Sequence, residues 1–97
     1  MTQTPETQRK KLRIRAWRRG FKEADLILGR FADDRLDAMS DAELDAFEHL
    51  LDQPDQEIYG WIIGRTETPA EFDTPIMDAL KAFRVEDDAE FGDGPKV

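Results

Sequence analysis

The chain contains no cysteine and a single histidine, His49. Without thiols there is no disulfide, no thiolate nucleophile and no cysteine-ligated metal. His49 lies in the middle of a predicted helix and has no serine nearby in the sequence, so the residues do not favour nucleophilic catalysis of the Ser–His kind. The acidic clusters lack the spacing of a calcium loop. We therefore expect neither an enzyme active site nor a metal site.

Long apolar runs and glycine-rich loops are also missing. No stretch of about 18 apolar residues is present, so we expect no membrane span. The first 15 residues have no apolar segment behind their charges, which argues against a secretory signal. Gly60 and Gly64 flank Trp61 inside a helical pattern rather than forming a phosphate loop. We expect one domain, located in the bacterial cytoplasm rather than the mitochondrial matrix.

Charge is distributed very unevenly along the 97 residues. Positions 1–22 hold eight of the fourteen Lys and Arg residues, with Glu6 as the lone acid, whereas positions 23–97 hold twenty-one acids. The formal net charge is −8. An acidic surface repels phosphates, so we do not expect general nucleic-acid binding. The basic segment 9–19 keeps open the alternative of a small nucleic-acid-binding or antitoxin-like adaptor.

Apolar residues recur with helical spacing, and no strand-like alternation competes. The pattern predicts an all-α, compact bundle of about five helices in a single domain. The expected helices are 7–19, 21–36, 41–52, 54–63 and 74–84. The expected boundaries are a flexible N-terminus at 1–8, a helical domain at 9–84 and an acidic flexible tail at 85–97.

Local signals refine this pattern at three places. Ser40 and Glu43 form a capping box that starts the third helix. Gly29 weakens the second helix, and we expect it to permit close approach by a neighbour. Trp61, Tyr59 and Phe72 are expected in or near the core. Trp17 is either core or an exposed anchor for a partner.

The pattern Arg19-Gly20-x-x-Glu23 follows the basic segment. An Arg and a Glu four residues apart are usually a modest surface pair. The alternative is a recognition surface in which two opposite charges flank bare backbone. Because the pattern lies between two predicted helices, we expect its side chains to project outward.

The surrounding residues make a more specific interpretation available. Arg15-Ala16-Trp17-Arg18 precedes the pattern and Ala24-Asp25-Leu26 follows it. The stretch resembles the succinate dehydrogenase assembly factor 2 family, the FAD assembly factors, whose signature is an R-G-x-x-E motif between the first two helices. The resemblance covers about Arg9 to Phe83 and includes Leu28–Ala32, Phe47, Leu50–Asp52, Pro54-Asp55 and Trp61.

The resemblance implies a non-enzymatic assembly chaperone with five helices. It implies transient binding to the flavoprotein subunit of succinate dehydrogenase, and in some bacteria to that of fumarate reductase, and promotion of covalent FAD attachment there. FAD would belong to the client, with none bound stably here. For Asp25 it leaves two roles open, binding the partner or locking the junction. The partner-binding residues that it implies are Arg15, Arg18, Arg19, Gly20, Lys22, Glu23 and Asp25.

Overall fold

Five α-helices form the part of the chain that the computed structural model describes, residues 4–91, with side chains described for residues 4–84. This part holds no strand, which confirms the predicted all-α class and single domain. The helices are α1 (Pro5–Ala16), α2 (Lys22–Arg35), α3 (Asp41–Leu51), α4 (Asp55–Ile63) and α5 (Pro75–Phe91). Short 3-10 turns follow α2 at Leu36–Ala38 and precede α5 at Ala70–Phe72.

Helix α1 begins and ends earlier than expected. The Thr4 hydroxyl accepts a hydrogen bond from the Thr7 amide at 3.1 Å, and Pro5 occupies the first turn, where its missing N–H costs nothing. Residues 5–8 therefore form the first turn of α1, so the helix begins inside the segment 1–8 that we assigned to the N-terminus, and residues 1–3 lie outside the described part. The helix stops at Ala16, and Trp17 is its C-cap.

Helices α3 and α4 have the ends that their local signals predict. The Ser40 hydroxyl accepts from the Glu43 amide at 3.2 Å, and the Glu43 carboxylate accepts from the Ser40 amide at 2.8 Å. This geometry confirms the capping box. Gly64 ends α4 with φ +82°, a left-handed conformation that glycine adopts without strain.

Helix α5 continues beyond its expected end near Arg84 to Phe91. The stretch after Pro75 contains no glycine or further proline before Gly92, so nothing in the backbone stops the helix. The first seven residues of the expected flexible tail therefore have helical backbone, and residues 92–97 lie outside the described part.

The core lies where the apolar stripes of the helices meet. Phe31 of α2 is 1% exposed and its ring centroid lies 5.7 Å from that of Phe47 on α3. Trp61 of α4 is buried and stacks on Phe72 at 5.2 Å, which confirms the core placement expected for both rings. Among the helices described, none is long and apolar enough to cross a membrane.

Candidate partner-binding site at the junction of α1 and α2

Gly20 is the turning point between α1 and α2. Its φ of +112° lies in the region that favours glycine. A Cβ at this position would lie 3.0 Å from Oδ2 of Asp55, the first residue of α4. The residue is exposed. The absent side chain therefore allows a close approach within the protein itself and leaves backbone accessible at the surface.

Arg19 does not project outward as expected, since its side chain is only 8% exposed. Its Nη2 forms an ion pair with Asp55 Oδ1 at 2.8 Å and donates to the Gln53 carbonyl at 3.0 Å. Asp55 is the first residue of α4, and Gln53 lies in the turn just before that helix. The expectation of a weak surface pair with Glu23 is wrong for this reason: the guanidinium is turned inward and clamps the junction to α4.

Asp25 also holds the junction. Its Oδ1 accepts a hydrogen bond from the Arg19 backbone amide at 2.6 Å. A carboxylate in the first turn of α2 is well placed for this contact, because the helix N-terminus favours negative charge. Of the two roles left open for Asp25, the structure shows the locking one.

Phe21 adds an apolar contact to the same turn. Its ring meets the edge of Tyr59 on α4, with centroids 5.2 Å apart and planes at 88°. An edge-to-face pair of this kind contributes about 0.5–1.5 kcal/mol beyond its area. The turn is therefore attached to α4 through both Arg19 and Phe21, and its backbone is held in one conformation.

The remaining site residues have no such attachment. Arg18, Lys22 and Glu23 are exposed, and within the described part their side chains form no hydrogen bond or ion pair. Arg15, by contrast, forms an ion pair with Asp52 at 2.7 Å. The seven predicted residues thus divide by role. Arg19 and Asp25 hold the junction, Arg15 pairs with the C-cap residue of α3, and four residues are presented at the surface (Arg18, Gly20, Lys22 and Glu23).

Trp17 lies between the two roles considered for it. Its indole covers Gly29 of α2 so closely that a Cβ there would lie 2.2 Å from the Trp17 ring. The indole Nε1 donates to Asp33 at 3.3 Å. The expected close approach at Gly29 is thereby confirmed. Trp17 is half-buried and held by α2.

His49 is held in place by contacts with other residues of the fold. Its Nε2 lies 2.7 Å from Glu71 Oε2, and its ring stacks on Phe72 at 5.1 Å. In the region with described side chains, no three His, Cys, Asp or Glu residues converge as metal ligands would. His49 connects α3 to the 3-10 turn before α5.

Residues 10–84 match the sequence profile of a protein family described as the flavinator of succinate dehydrogenase. The chain belongs to this family. The family resemblance noted from the sequence is therefore confirmed over most of the chain. The RGxxE junction and the Trp61 core both lie inside the matched region.

Individual relatives of the family support the same assignment. The chain is 46% identical over 79 residues to succinate dehydrogenase assembly factor 2, mitochondrial, of Meyerozyma guilliermondii, covering 81% of this chain and 55% of that one. It is 39% identical over 76 residues to the protein of the same name from Dictyostelium discoideum, covering 78% and 54%. It is 37% identical over 70 residues to the FAD assembly factor SdhE of Acetobacter pasteurianus, covering 72% and 64%. The chain thus spans little more than half the length of the first two relatives.

These relatives contradict the expected location. Family members named as mitochondrial in several eukaryotes resemble this chain at least as strongly as the bacterial one does. The inference from the N-terminal composition to the bacterial cytoplasm was therefore wrong. The composition of a short basic segment does not distinguish the two settings.

Proposed function

We propose that this chain binds the flavoprotein subunit of succinate dehydrogenase through the exposed side of the α1–α2 junction and promotes covalent attachment of FAD to that subunit. The observation that carries the proposal is the division of roles at the junction. Buried contacts fix the turn, while Arg18, Lys22 and Glu23 remain exposed around Gly20 without partners in the described part. A fixed turn with uncommitted charges loses little conformational entropy on binding.

In this proposal the chain is a chaperone and not a catalyst. The flavin belongs to the client, and the covalent bond forms between this flavin and a group of the client protein. The side chains best suited to proton transfer are scarce here: there is no cysteine, and His49 already contacts Glu71. The chain would contribute positioning, which lowers a barrier without any reacting group of its own.

Glu23→Gln is the sharpest test, because Glu23 is exposed and unpaired within the described part. The substitution removes charge at nearly constant shape and should change stability by less than about 0.5 kcal/mol. We expect weaker binding to the flavoprotein subunit and slower appearance of covalent flavin. Binding is measured by size-exclusion chromatography with purified subunit, and covalent flavin by in-gel fluorescence after denaturation.

Glu67→Gln is the matched control. Glu67 is an exposed glutamate in the connection between α4 and α5 and should affect neither readout. Equal flavinylation by the parent and the Glu23 variant would show that Glu23 has no part in the site. Failure of the unaltered chain to bind the flavoprotein subunit would refute the proposed function itself.

Gly20→Arg and Arg19→Ala are less informative tests than the sequence alone suggested. Both are expected to reduce flavinylation, yet both also disturb the junction, through the positive φ of Gly20 and the ion pair that buried Arg19 forms with Asp55. Their activity must be measured together with a melting curve. Binding to the fumarate reductase flavoprotein remains a prediction from the resemblance, and the same chromatographic assay tests it.

A further inference from the structure

The cations of segment 9–22 divide into two sets. One set is held by the rest of the chain: Arg9 donates to the Leu36 and Met39 carbonyls, and Arg13, Arg15 and Arg19 pair with acids on other elements. The other set is exposed and forms no ion pair within the described part: Lys10, Lys11, Arg18 and Lys22. The contacts of the first set stabilise the fold. The second set makes no such contact, so the fold does not explain why these positions are basic.

Ile14 lies among the unpaired cations. It is 51% exposed and is the one large apolar side chain classed as exposed among the described residues. Lys10 and Lys11 precede Ile14 by four and three residues, so both share its face of α1. Arg18 is exposed in the connection that directly follows α1. Helix α1 packs against α2 and α3, and its buried residues Gln8, Leu12 and Ala16 lie on the side opposite this face. We call the surface formed by Lys10, Lys11, Ile14 and Arg18 the basic ridge.

We propose that the basic ridge is a second contact region that binds an acidic surface around a shallow apolar pocket on the same flavoprotein subunit. This inference rests on the proposed function for the identity of the partner. Its support is continuity and charge. Arg18 belongs both to the ridge and to the exposed side of the junction, so one partner surface can cover the two.

Charge complementarity favours an acidic protein as the occupant. The whole chain carries a net charge of −8, so an acidic partner is repelled by most of its surface and attracted at the ridge. Such an arrangement fixes the orientation of encounter and raises the association rate. Ile14 would then provide the apolar contact that excludes water at the centre.

Other polyanions fit less well. An extended nucleic acid would reach past the three cations of the ridge to the acidic remainder of the chain. A membrane surface is bound by helices with a broad apolar face, and Ile14 is a single residue. Both alternatives are retained as outcomes of the experiment.

The test compares Lys11→Glu with Lys81→Glu, which changes net charge equally on α5, away from the ridge. Association with the purified flavoprotein subunit is followed by stopped-flow fluorescence. We expect Lys11→Glu to reduce the association rate about three- to tenfold at low salt, and the difference to disappear near 0.5 M salt, where charges are screened within about 4 Å. Ile14→Ala should leave the association rate unchanged and raise the dissociation rate several-fold.

The outcomes separate the two proposals. If the subunit binds and both ridge variants behave like Lys81→Glu, the ridge is not a contact region and the proposed function stands. If the unaltered chain does not bind the subunit, both proposals fail. The same variants are also mixed with fluorescent duplex DNA, single-stranded RNA and anionic vesicles. Loss of binding to one of these, with association to the subunit unchanged, overturns the assignment of the ridge to the subunit.

Discussion

Replacing Arg19 with alanine should destabilise the fold substantially, although the residue lies in a turn between helices. Removing one partner of a fully buried ion pair costs about 3–5 kcal/mol. Two features of the structure reduce that cost. The Asp55 side chain is 33% exposed, so water partly solvates the carboxylate left behind. The buried Arg19 Nε has no hydrogen-bond partner in the described part, and deleting it removes an unsatisfied donor. We therefore expect a loss of about 2 kcal/mol in the free energy of unfolding.

The measurement is thermal and urea unfolding followed by circular dichroism. For a domain of this size, about 2 kcal/mol lowers the melting temperature by about 8–16 °C. Arg18→Ala is the matched control, because Arg18 is the preceding arginine, exposed and unpaired within the described part, and it should change stability by less than about 0.5 kcal/mol. Asp55→Ala combined with Arg19→Ala should show a coupling energy of about 1–2 kcal/mol.

A result of less than about 0.5 kcal/mol for Arg19→Ala would refute this reasoning. It would mean that the pair behaves as an ordinary surface salt bridge. A coupling energy near zero in the double variant would exclude Asp55 as the partner, even if the single variant were destabilised.

Two further predictions concern packing and capping. Gly29→Ala should lower the free energy of unfolding by at least about 2 kcal/mol, because the new Cβ would lie 2.2 Å from the Trp17 ring. A shift of the tryptophan emission spectrum should accompany this loss. An unchanged melting curve would contradict the close contact between Gly29 and Trp17. Ser40→Ala should lower the free energy of unfolding by about 1 kcal/mol, because it removes the hydroxyl that accepts from the Glu43 amide. Asp41→Ala, at the next exposed position, should lower it by less. Equal values for the two variants in urea unfolding would contradict the cap assignment.

Features set by neighbouring residues could be predicted from the sequence. The Ser40–Glu43 box, the Gly64 stop and the buried stripe of α2 depend on residues within one or two turns, and all are present. Gly29 was expected to allow a close approach, but the identity of the neighbour depends on how α1 crosses α2. That crossing is a property of the whole bundle.

The candidate site was predicted less completely for the same reason. Arg19, Gly20 and Glu23 lie at one turn between α1 and α2, as their spacing predicts, and their role as a site stays a prediction. The burial of Arg19 follows from Asp55, which lies 36 positions further along the chain. The sequence signal at Asp55 is an acid after Pro54 at a helix start, which explains its position but does not indicate its partner. No local pattern distinguishes the arginines that bind within the chain from the lysines that remain exposed beside them.

The order of residues along the chain determines when the ion pairs of the basic segment can form during synthesis. Arg13, Arg15 and Arg19 are synthesised before their acidic partners Asp33, Asp52 and Asp55. Synthesis proceeds at about 5–20 residues per second, so Arg19 remains without its native partner for about two to seven seconds, until Asp55 has been added 36 residues later. During that interval the growing chain presents an unneutralised cationic segment. The ion pairs of this segment are therefore complete only after α3 and the start of α4 have been synthesised.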